Sequence, residues 1–172
     1  MNNNLLEKQV STSSNGVAVQ DKSFLAKVMA KSNISDVYNA RSLTMIVFRT
    51  MRDLMTTEAS QEVANELKSP VGLTDNKMSE EEIADLWKDA NPLVRFLSQV
   101  RPTLKFDDDT FFLRIALEGG LPQTTDSVPE MISPETIVSA VFSATKEELS
   151  AAKIAEIASF LPGKVRKLWE QA

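Results

Sequence analysis

Residues 47–67, VFRTMRDLMTTEASQEVANEL, come back in diverged form as residues 141–161, VFSATKEELSAAKIAEIASFL. With Val47 set on Val141 the segments align without a gap, and Val47/Val141, Phe48/Phe142, Glu62/Glu156, Ala64/Ala158 and Leu67/Leu161 are identical. That is several times the one or so matches expected by chance. Conservative pairs add to it: Arg52/Lys146, Asp53/Glu147, Met55/Leu149, Thr56/Ser150 and Val63/Ile157. Both copies spell an apolar helix end, a charged exit, a hydroxyl that can cap the next helix, and a short amphipathic helix. A helix-turn-helix hairpin used twice is the simplest structure with that grammar. The correspondence reaches outwards, with Phe24, Lys27 and Val28 ahead of the first copy as Phe111, Arg114 and Ile115 stand ahead of the second. A Leu-Trp pair follows each, Leu86-Trp87 and Leu168-Trp169.

The pattern Met51-Arg52-Asp53-x-Met55-Thr56-x-Glu58, with Val63, Ala64, Glu66 and Leu67, resembles the bacterial domain-of-unknown-function family 2267. Members of that family look like L-R-D-R-L-T-x-E-E-A-x-x-L-x-A-Q-L-P. The second copy keeps Leu161-Pro162 and continues with Val165-Arg166-Lys167-Leu168-Trp169, similar to the family's ending. The first copy has Lys68 in place of the proline and extra residues over 69–83. The resemblance covers about residues 24–172 and implies a fold, with no activity attached.

Periodicity supplies the remaining elements. Phe24, Leu25, Val28 and Met29 follow helical spacing after Asp21 or Ser23 as a cap, and Lys31-Ser32-Asn33 ends that helix. Ser35 is placed to cap the longest helix, in which Leu43, Ile46, Val47, Met51 and Leu54 form one apolar face. Ser79-Glu80-Glu81-Glu82 reads as a capping box, and Leu93, Val94, Phe96, Leu97 and Val100 as a buried joint. Gly119-Gly120 and Pro162-Gly163 are stop signals, and Ser133-Pro134-Glu135 is a start. No segment alternates like a strand. The expectation is an all-α fold: two pseudo-symmetric helical repeats, at about 24–90 and 111–172, joined by 91–110 and packed into one compact helical bundle. Residues 1–20, rich in Asn, Ser, Thr and Gln, read as a disordered N-terminal tail ahead of the helical domain at 21–172.

Composition narrows function by what is missing. The chain has no cysteine and no histidine, which removes thiol nucleophiles, the usual general base and the usual zinc or haem ligands. No G-x-G-x-x-G, G-K-[ST] or G-x-S-x-G is present. Asp107-Asp108-Asp109 lacks the spacing of a calcium loop and reads as helix capping. No catalytic, cofactor-binding or metal-binding residue is therefore assigned, and the chain is expected not to be an enzyme. A net charge of −5 argues against nucleic acid, and the absence of a long apolar run against a transmembrane segment. The start lacks a signal-peptide pattern, which makes the cytoplasm the expected location.

Two surfaces attract attention. Met45, Met51 and Met55 suit an adaptable groove, although their spacing equally fills a core. Lys164, Arg166 and Lys167, interleaved with Trp169, form the one basic and aromatic stretch and the first-ranked interaction surface, with Trp169 as its anchor. Its plainer reading is basic residues complementing a helix C-terminus. The function expected is a non-enzymatic protein-protein interaction or regulatory module with an unidentified protein partner, a homodimer being open. The alternative is a small apolar-ligand carrier with a pocket between the repeats, lined by Phe48, Met51, Phe112 and Phe142.

Overall fold

In the computed structural model, residues 23–67, 83–88, 102–122 and 132–172 are described, and among them every regular element is an α-helix. Local chemistry sets the helix starts. Helix α1, Phe24–Ser32, begins where the Ser23 hydroxyl accepts from the Ala26 N–H, and it stops at Asn33, whose φ of 59° is left-handed. Helix α2, Val37–Leu54, is capped by Asp36. Its carboxylate accepts from the Tyr38 N–H at 3.1 Å, one residue beyond the cap expected at Ser35. An anionic oxygen at the positive end of a helix outcompetes a neutral hydroxyl next door. Thr56 caps α3, Thr57–Glu66, and residues 83–87 are helical with Ile83, Leu86 and Trp87 buried.

Helix α4, Asp108–Gly119, is capped by Asp107 and ended by Gly120, whose φ of 62° suits glycine. Helix α5, Pro134–Lys146, follows the Ser133 cap with proline at its first position, where no N–H is needed. Ser150 caps α6, Ala151–Phe160, and α7, Gly163–Gln171, restarts after Pro162. The expected tail at 1–20, most of the extra residues at 69–83, the capping box at 79–82 and the joint at 91–100 lie outside the described residues.

Packing is crossed. Helix α1 lies chiefly on α5, and α4 lies chiefly on α2, so each long helix is covered by the first helix of the other half. The approach of α4 to α2 is close at Gly119, where any Cβ would fall 2.6 Å from Leu43 Cδ2. Charged pairs close both crossings in corresponding places. Arg114 of α4 donates to Asp53 of α2 at 2.6 Å, while Lys27 of α1 meets Glu147 at 3.0 Å and Glu148 at 2.9 Å beyond α5. One turn along, Arg49 meets Glu118 at 3.2 Å and Lys31 reaches Ser143 at 2.9 Å. In the alignment above Asp53 falls on Glu147, Lys27 on Arg114 and Arg49 on Ser143.

Inside, the same correspondence governs the rings. Phe48 meets Trp87 edge-on at 5.1 Å, and Phe142 meets Trp169 edge-on at 5.0 Å. Phe24 leans on Phe48 at 5.9 Å and Phe111 on Phe142 at 6.5 Å. Each indole N–H donates to a carbonyl of the short helix before it, Trp87 to Ser60 at 3.1 Å and Trp169 to Ile154 at 3.0 Å. These bonds satisfy the one polar group an interior tryptophan carries, and each edge-on ring pair contributes about 0.5–1.5 kcal/mol beyond area burial. Met51 and Met55 are buried and Met45 is partly buried against the hydrophobic core, which is core filling.

Burial disfavours the charge on Lys27, yet its hydrogen bonds to Glu148 and Glu147 outweigh that cost and raise its pKa above the ordinary 10.5. A raised folded-state pKa means the stabilisation is complete below the unfolded value and disappears as pH climbs through the folded one. The stability difference between the native chain and Lys27→Met, measured by urea unfolding, should stay constant from pH 7 to about 10 and shrink above 10.5.

Candidate functional site

Helix α7 has two faces, and they decide what the C-terminal basic stretch can do. Val165 and Trp169 are one helical turn apart and fully buried. Lys164 and Lys167 stand on the other face and are exposed, with Leu168 half-buried between the two. The helix is fastened at both ends by side chains from elsewhere. Pro162 offers no capping oxygen, and Asp108 supplies it by accepting from the Val165 N–H at 3.0 Å. At the far end the Lys146 ammonium donates to the carbonyls of Trp169 at 2.9 Å and Ala172 at 2.7 Å. Arg166 turns back to donate to the carbonyls of Leu161 and Ser159, both at 3.2 Å, and so secures the end of α6.

This anchoring sets α7 beside α4 and the start of α5, and the three enclose an open groove of about 640 Å³. Its floor is apolar, made of Phe112, Leu113, Ala116 and Leu168. Lys164 and Lys167 supply the positive groups at its walls, and Asp109 and Glu135 the negative ones. All four charged residues are exposed, and among the described residues neither lysine has an ion-pair or hydrogen-bond partner. Leu113 is 44% exposed and Leu117, one turn further along α4, is 61% exposed. The apolar floor therefore continues onto an apolar strip facing water. The volume lies within the usual range for ligand sites.

The interaction surface expected from the sequence divides on inspection. Lys164 and Lys167 reach the groove together, Arg166 is occupied holding carbonyls, and Trp169 is interior rather than an anchor on the surface. Trp169 repeats the one-turn spacing from Val165, and its ring fills the space against Phe142. The reading of basic residues complementing a helix C-terminus holds for Arg166, which donates to the last carbonyls of α6, but not for Lys164, the second residue of α7 at that helix's positive end. Of the side chains expected to line a ligand pocket, Phe48, Met51 and Phe142 are packed solid in the core, and Phe112 alone lines the groove.

Sequence reasoning reads Asp109 and Glu135 only as helix-start residues and does not place Leu113 or Leu117 at a site, although α4 carries apolar residues on more than one face. The aspartate run works as capping. Asp107 accepts from the Thr110 N–H at 2.9 Å, and interaction with Thr110 holds its carboxyl below the usual 3.8. Asp108 caps α7. Among the described residues no three carboxylates converge as a metal site would require. No described helix is long and apolar enough to cross a membrane.

Fold and groove together define a small all-α domain with a mixed-charge, apolar-floored cleft. The chain belongs to the family described as Uncharacterized conserved protein (DUF2267), whose sequence model matches residues 21–168. No match was found among curated proteins.

Trp169→Ala should destabilise the fold by about 3–5 kcal/mol in urea unfolding, the usual cost of emptying a buried aromatic site. Asp108→Ala should cost about 0.5–2 kcal/mol, with faster amide exchange confined to the first turn of α7.

Proposed function

We propose that this chain is a non-enzymatic protein-interaction or regulatory module whose docking face is the groove between α4, α5 and α7. The observation that carries the reading is the exposed apolar strip of Leu113 and Leu117 running into an apolar floor walled by two lysines without partners among the described residues. Contiguous exposed apolar surface rimmed by charge marks interaction sites more often than chance. The chain contains neither histidine nor cysteine, which supports a binding rather than a chemical role, and its net charge of −5 disfavours nucleic acid as the partner. Bacterial origin and cytoplasmic residence are part of this proposal and rest on the sequence resemblance and on the acidic, cysteine-free composition.

We also read the two halves as diverged copies of one helical unit. The aligned positions that share residue type also share contacts: the edge-on Phe-Trp pairs, the indole-carbonyl bonds and the crossed ion pairs.

Affinity capture from source cells with the full chain should yield a set of proteins that is lost with Leu117→Asp and with the Lys164→Glu/Lys167→Glu pair. The set should be retained with Ser42→Asp on exposed α2 surface. Identical recoveries from all four chains would end the docking reading. The groove volume of about 640 Å³ also accommodates a small apolar ligand, which keeps a carrier as the second reading. Native mass spectrometry of gently purified protein should show added ligand mass if the chain is a carrier, and the bare 19.0 kDa chain if it is not.

A further inference from the structure

Among the described residues the charges lining the groove are balanced, two carboxylates against two ammonium groups, on a chain whose overall charge is −5. A strongly acidic partner would pair with Lys164 and Lys167 but meet repulsion from Asp109 and Glu135. A basic partner would meet the reverse. One kind of surface matches such a patch without any special design, namely the same patch turned through a two-fold axis. From this balance we propose that the groove is the contact surface of a symmetric homodimer, with the Lys164 and Lys167 wall of each copy set against the Asp109 and Glu135 wall of its partner. The inference rests on the docking reading above and names the occupant.

The apolar residues support the same occupant. Leu113 and Leu117 project from α4 one turn apart, and Leu113 also belongs to the groove floor with Phe112 and Leu168. In a two-fold arrangement the strip on α4 of one copy covers the floor of the other, and the reverse contact follows by symmetry. Both copies then withdraw from water the large aliphatic side chains that α4 exposes. The two acids stand on first turns, Asp109 in α4 and Glu135 in α5, where helix ends favour negative charge. Elsewhere two chains of charge −5 repel each other, and the balanced patch is a place where that repulsion is relieved.

Sedimentation velocity of the full chain across a concentration series tests this directly. The native chain should move towards twice its 19.0 kDa mass as concentration rises, and high salt should shift the transition to higher concentration. The Lys164→Glu/Lys167→Glu chain and the Asp109→Lys/Glu135→Lys chain should each be monomeric over the same series. Their equimolar mixture should recover the double mass, because the reversed walls again match. All four positions are exposed, and Leu117→Asp, also at an exposed site, provides a second loss of dimer that leaves the charges in place. Circular dichroism melts confirm that each variant is folded. A native chain that stays monomeric throughout overturns the inference, as does a reversed chain that still dimerises or a mixture that remains monomeric. A monomeric native chain whose groove variants still lose captured proteins would leave the docking reading standing and remove only the second copy as the occupant.

Discussion

Each long helix in this protein depends on the other half of the chain for its cover. Helix α1 shields α5, and α4 shields α2, so the buried Phe, Met and Trp side chains of either half are closed off by residues far away in sequence. The crossed ion pairs, Asp53 with Arg114 and Lys27 with Glu147, sit where those covers meet their helices. Charged contacts of this partly buried kind contribute modestly to stability. Their larger effect is on register, because slipping α4 along α2 would unpair Arg114 and Arg49 and drive Leu43 against the backbone at Gly119.

The groove is a by-product of how α7 is held. Asp108 from α4 fixes its start and Lys146 from α5 fixes its end, and with both ends tied the exposed row of Lys164 and Lys167 is presented at one angle to α4. Residues that look like helix-terminal decoration thus position a surface. The tying groups come from the same two helices that form the other walls of the groove.

The elements were legible in the sequence because their causes are local. Ser23, Thr56, Ser133 and Ser150 cap the helices they precede, and the stop signals at Gly120 and Pro162 act where they stand. The misplaced cap at Ser35 came from two competing oxygens in adjacent residues. Trp169 is harder to place from sequence for a different reason: a short amphipathic helix offers both a basic face and an apolar one, and only the one-turn spacing from Val165 puts the indole on the apolar side. Lys164, Lys167 and Phe112 were legible one by one, but the groove that joins them was not, since it gathers residues from three segments whose meeting is decided by the crossing. Aligned positions 53 and 147 keep their negative sign and 27 and 114 their positive sign, which says that a pair exists but not which half supplies the partner.

Crossed cover has a consequence for descent. Were each half closed on itself, one could be lost, exchanged or left to drift while the other went on folding. Here a substitution in α4 is felt by α2, and one in α1 by α5, so divergence of either half is limited by what the opposite half will accept. The two segments differ at most aligned positions, yet both halves carry the Phe and Trp of the edge-on pairs, Phe48 with Trp87 and Phe142 with Trp169, and the same signs at the crossed charges. A substitution in either half is therefore judged by the packing of the whole, although the sequence reads as two parts.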